Sequence, residues 1–178
     1  MTTLTKVDQS DASLRTAEGY SKSADLLMKY IGKTRSADVL ASMIVLRSLA
    51  LEIYLKRLYA HEYHKPYEGH HLKQIFDALS EETRRKITDY YDRSLAKSGF
   101  VKQLLTKHQE IKGGVPMLDL EHVLQESSEA MTDWRYFFEP KHNVVFLAFG
   151  EIEKALSQRL RDISPGASSE LGTELKAA

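Results

Sequence analysis

The sequence predicts an all-α protein, an irregular up-down helical bundle of about five to seven helices, because apolar residues recur three and four positions apart along most of it. Two further observations agree. No stretch alternates apolar and polar residues as a half-buried strand does, and breakers containing both Pro and Gly, at residues 66–69 and 113–116, fall between the periodic stretches. With 178 residues the chain is the size of one ordinary domain, large enough to bury a continuous core.

The elements follow in order. Ala17, Tyr20, Ala24, Leu27, Met28 and Ile31 lie on one face of a first helix spanning Thr16 to Ile31. Ser36 is suited to cap a second helix, Ala37 to about Tyr59. Apolar side chains from Val39 to Leu58 cover most of its circumference, which places it at the centre of the bundle. The segment from His61 to Gly69 contains both Pro66 and Gly69 and reads as a connection. Leu72, Ile75, Phe76 and Leu79 form a short stripe beyond it, with Gly69-His70 at the start of that helix.

Ser80 followed by Glu81 and Glu82 is the pattern of an N-cap and an acidic first turn, for a helix reaching about Ala96. Ser98-Gly99 interrupts the pattern, and Val101, Leu104, Leu105, His108 and Ile111 mark a further helix before the breaker at residues 113–116. Asp119 is placed to cap a helix through Leu120, Val123, Leu124, Met131 and Trp134. The last helix is expected from about Asn143 through Leu160, with Pro140 as the boundary before it. Residues 1–14 read as a flexible N-terminus, 15–163 as the helical domain and 164–178 as a flexible Ser-, Gly- and Ala-rich tail.

Composition narrows the function classes. Lys plus Arg and Asp plus Glu number 25 each, so no overall basic field draws nucleic acid in, and any contact with RNA must be local. Zero net charge also favours self-association. The absence of cysteine removes disulfides, thiolate metal sites and cysteine nucleophiles. Residues 1–10 lack the basic-then-apolar order of a secretory signal, and no apolar run approaches the ~18 residues of a membrane span, so a cytoplasmic location without membrane contact is expected.

The segment Trp134 to His142 holds the pair of residues best suited to phosphate chemistry, Arg135 and His142, with six residues between them. A guanidinium grips phosphate oxygens in bidentate fashion and stabilises added negative charge. An imidazole moves protons near neutral pH. With no cysteine and no carboxylate cage, such chemistry is expected to run without metal or other cofactor. Arg57 and His64 repeat the same spacing, so position rather than spacing singles out Arg135.

Arg135 and His142 ahead of the last helix, Leu49 to Lys56 in the second, and Gly69 to Leu79 leading into the third together resemble the HEPN family of small helical nucleotide-binding proteins. The resemblance covers most of the chain. It implies a homodimeric, metal-independent ribonuclease or an RNA- or nucleotide-binding protein of a toxin or antiviral type, with an antitoxin or other protein as a candidate partner. Phosphate binding would fall to Arg135 and acid or base work to His142, with Tyr136 and Glu52 in supporting, structural or orienting roles. Tyr136 stands where cutting members usually carry a polar residue, and Pro140 lies inside the gap. The alternative is therefore a catalytically silent helical module that dimerises or docks a partner protein.

Three other features have structural explanations of their own. Glu52 lies in an otherwise apolar stretch and needs a cationic or hydrogen-bonding partner, for which Arg135 is a candidate. His61, His64, His70 and His71, with Glu62 and Glu68, have metal-ligating composition but match no metal-site spacing, and a solvated loop is expected there. Tyr20, Tyr54, Tyr90, Tyr91 and Phe76 fall at helical core positions, and Arg84-Arg85-Lys86 reads as a solvated helix face.

Overall fold

A computed structural model describes residues 6–112, 117–128 and 148–163. The described residues form seven helices and no strand, as the periodicity predicts: α1 (Lys6–Thr34), α2 (Leu40–Tyr63), α3 (Leu72–Asp77), α4 (Glu81–Lys97), α5 (Gly99–Lys112), α6 (Leu120–Ser127) and α7 (Phe149–Ile163).

The α2 helix is the axis of the bundle. Its Met43, Ile44, Ala50, Leu51, Tyr54, Leu55 and Leu58 are all buried, and α1, α3 and α7 pack against it. The short link from Arg35 to Val39 folds α1 back along α2. Asp25 meets Arg47 and Ser21 lies beside Tyr54, so partner numbers fall along α1 as they rise along α2, and the two helices run antiparallel. Phe149, Ile152, Ala155 and Leu156 of α7 complete the core together with Ile75, Phe76, Ile87 and Tyr91. Tyr54, Tyr91 and Phe76 are therefore core residues, as their spacing indicates.

Several helix ends are set by side chains that the sequence identifies. The Ser80 hydroxyl accepts from the Thr83 amide at 3.3 Å, and Asp119 accepts from the His122 amide at 2.9 Å. Each supplies a partner to an amide with no carbonyl one turn back. Ser98 closes α4 and opens α5: its amide donates to the Leu95 carbonyl at 3.1 Å, and its hydroxyl accepts from the Val101 amide at 3.3 Å.

Other boundaries differ from expectation. The first helix begins at Lys6, well before Thr16. Ser36 does not cap α2; its hydroxyl accepts from the Asp38 amide at 3.3 Å within the link, and α2 starts at Leu40 and continues to Tyr63. His70 precedes the third helix, which starts at Leu72. The α6 helix ends at Ser127, short of Met131 and Trp134, both of which lie outside the described residues. A continuous last helix from Asn143 is also corrected. Ala148 has φ of 57°, a left-handed geometry incompatible with the helix interior, and α7 starts after it at Phe149.

Two outcomes test these assignments. Leu51 is wholly buried, so Leu51→Ala should lower unfolding free energy by about 2–5 kcal/mol, read by chemical denaturation. His64 ends α2 at φ 54° with its amide donating to the Ala60 carbonyl at 3.0 Å. Its side chain is exposed, so His64→Gly should raise stability by about 0.5–1 kcal/mol, with no packing loss, by removing the cost of left-handed geometry.

Candidate functional site

Arg135, Tyr136 and His142 lie outside the described residues, but the points where their segment leaves and rejoins the bundle are defined. On the departing side, the Ser128 hydroxyl donates to the Leu124 carbonyl at 2.6 Å and accepts from the Lys73 amide at 3.1 Å, pinning the end of α6 to the start of α3. On the returning side, Ala148 and Phe149 are buried in the main core.

The described part of the candidate site centres on Glu52. Apolar neighbours on α2 carry its carboxylate into a buried position, where an uncompensated charge is costly. Lys56, one turn later on the same face, donates from Nζ to Oε1 at 2.9 Å. His70 Nδ1 reaches the same oxygen at 2.8 Å from the connection before α3. The need for a partner was legible in the sequence. Lys56 and His70 meet it, so neutralising Glu52 does not require Arg135.

The connection is shaped to deliver His70. Tyr59 packs against Tyr63 and, edge to face, against Tyr67, with ring centroids 4.6 and 5.0 Å apart, so aromatic contacts hold the turn beside the end of α2. Gly69 then adopts φ of 113°, a conformation that strains any residue with a side chain. The turn brings the His70 ring back to α2 while leaving 71% of its side chain exposed.

The remaining histidines and acids of this region do not gather into a metal cage; among the described residues no group of three or more potential ligands is positioned for an ion. Glu62 instead faces Ser80, accepting from its amide at 2.9 Å and its hydroxyl at 2.8 Å. Arg159 donates to the Thr83 hydroxyl through Nε at 3.2 Å and Nη2 at 2.8 Å, within the same polar joint between α4 and α7. Burial works to raise the Glu62 pKa, but hydrogen bonds from Thr83 and Ser80 and the Arg159 charge outweigh it and hold it below the ordinary value.

Other chemistry-bearing groups are occupied structurally. Lys73 pairs with Asp77 at 2.6 Å and Glu121 at 3.4 Å. In the basic group of α4, Lys86 pairs with Glu82 at 2.9 Å and Arg85 lies 3.9 Å from Asp89, as expected of a solvated helix face. Burial, aided by the Glu153 charge, pushes the Tyr54 hydroxyl up to about 12, so it remains protonated at neutral pH. Arg47 joins Asp25 of α1 to Glu153 of α7. Sequence reasoning did not single out Arg47, Arg159 or the His70 contact, because partners remote in sequence leave no local spacing signal.

The described residues define an all-α helical bundle whose central helix carries a carboxylate–imidazole contact, Glu52 with His70. No helix among the described residues is long and apolar enough to cross a membrane. Comparison with protein-family models, curated proteins and solved structures finds no match to the chain.

The lowered Glu62 pKa fixes the sign of a pH effect. Its contribution to stability is complete above the ordinary value of 4.5 and is lost as pH falls through the lower folded value. Denaturation midpoints measured from neutral pH to below 4.5 should therefore fall less steeply in Glu62→Gln than in the unmodified chain.

Proposed function

We propose that the chain is a HEPN-like helical protein that binds RNA or nucleotide and cleaves RNA without metal, acting as a cytoplasmic homodimer in a toxin or antiviral role. Arg135 would hold the phosphate and stabilise its developing charge, while His142 transfers a proton. The observation that carries this reading is their placement ahead of the final helix, with six residues between them. The pairing of Glu52 with Lys56 and His70 supports it by meeting the need for which Arg135 was the structural candidate. The competing Arg57 and His64 pair has a different context, since His64 closes α2 in left-handed geometry.

A second reading is a catalytically silent interaction module that dimerises or docks a partner protein. Tyr136 and the Pro140-containing gap favour it, as do the exposed Phe100 of α5 and Met117 between α5 and α6. Digestion of RNA by the purified chain in chelator separates the two readings. Cleavage by the unmodified chain should fall by about 100-fold or more in Arg135→Ala and in His142→Ala, with circular dichroism showing that both remain folded. Equal cleavage by all three would remove the assigned pair. No cleavage by any of them would favour the docking module.

A further inference from the structure

The long first helix carries two stripes. One is turned into the bundle, with Ala17 and Ala24 buried and Leu27, Met28 and Ile31 packed against the core. The other lies on the opposite side and is open. Its residues Ala12, Thr16, Gly19, Ser23, Leu26 and Tyr30 are all exposed and all uncharged, at alternating spacings of four and three. That is the spacing of a seam between two packed helices, whereas a helix face turned to water ordinarily carries charged side chains. Leu26 and Tyr30, one turn apart, are 66% and 44% exposed. We infer that this outer face of α1 docks an acidic amphipathic helix of a partner protein.

Charge decides the occupant. Arg15, Lys22 and Lys29 stand seven positions apart along one edge of the open stripe, and all three are exposed. Among the described residues none of the three has an ion pair, whereas Arg47, Lys56, Lys73 and Lys86 each meet a carboxylate. The acids next to the row are engaged elsewhere. Asp25 is bonded to Arg47, and Glu18 is half-buried, near enough to Tyr54 for its charge to act on that hydroxyl. A cationic row beside an apolar seam is matched by a helix whose own apolar stripe is edged with Asp or Glu, because flanking charges set partner choice between paired helices. A second copy brings the same basic row and sets like charges together in an antiparallel pair, so a homodimer contact falls on another surface.

The two halves of the seam do different work. Gly19 lies mid-helix, where glycine is less favourable than alanine, and a β-carbon added there would meet nothing within 4 Å. The open space over Gly19 and its small neighbours lets another helix approach closely. Leu26 and Tyr30 project beyond them as the apolar anchors. The docking uses no residue of the Arg135 segment, so it stands whether or not the chain cleaves RNA.

The test uses the full chain and a fluorescein-labelled synthetic helical peptide with leucines along one face and glutamates beside them. A counterpart peptide carries lysine in place of each glutamate. Fluorescence anisotropy should show the glutamate peptide bound about tenfold or more tightly than the lysine peptide, with affinity falling as salt rises. Leu26→Ala should weaken that binding by about tenfold while leaving the melting temperature in place, since the side chain is exposed. Lys22→Glu combined with Lys29→Glu should reverse the preference in favour of the lysine peptide, a gain that a misfolded variant cannot produce. Absence of binding to the glutamate peptide, equal affinity for both peptides, or a preference that survives the charge reversal would each overturn the inference. Self-association in sedimentation that Leu26→Ala abolishes would assign the face to a second copy. Binding to phosphatidylserine vesicles, lost in the same variants and without binding to the peptide, would assign it to a lipid surface. Either result also overturns the acidic helix.

Discussion

The constraint on which the bundle depends is the apolar circumference of α2. A helix exposed to water on one side needs one apolar stripe, whereas α2 is buried on several sides and must be covered by α1, α3 and α7. Within this setting a single acidic residue, Glu52, fixes more than its own surroundings. Its carboxylate is sheltered by the same packing that makes α2 central, and compensation comes partly from the connection after α2. Hydrophobic burial thus places the charge, and the charge in turn helps place the chain that leaves the helix.

Polar joints organise the rest of the surface between helices. Glu62 and Ser80 link the end of α2 to the start of α4, while Arg159 and Thr83 link α4 to α7. These are directional contacts between elements that apolar packing alone would hold less specifically. They also account for acidic and basic side chains whose types, taken without geometry, are compatible with metal or phosphate binding. In these joints that chemistry is committed to holding the fold.

Legibility in the sequence followed the range of each interaction. Ser80 and Asp119 act on amides three positions ahead, so their roles could be read from neighbouring residues. The central position of α2 was equally plain from its apolar breadth. Ser36 looked similar to Ser80, yet its hydroxyl serves the link, because side-chain chemistry alone does not decide which nearby amide it meets. Ala148 gave no warning, since an alanine carries no mark of left-handed geometry. At the candidate site the need of Glu52 for a partner was visible, but not that His70, eighteen positions away, would meet it. Apolar periodicity reports which helix face is covered and says nothing of how a connection curves. Arg135, Tyr136 and His142 belong to the segment outside the described residues, so their roles rest on the sequence and its resemblance.

The guanidinium of Arg47 stands between the first and last helices, bonded to Asp25 on one side and Glu153 on the other. Loss of either outer helix from its place leaves a largely buried cation with half its compensation, and so weakens the hold on the other. The first and the last of the described helices are therefore coupled through one guanidinium, although the sequence separates them by more than a hundred residues.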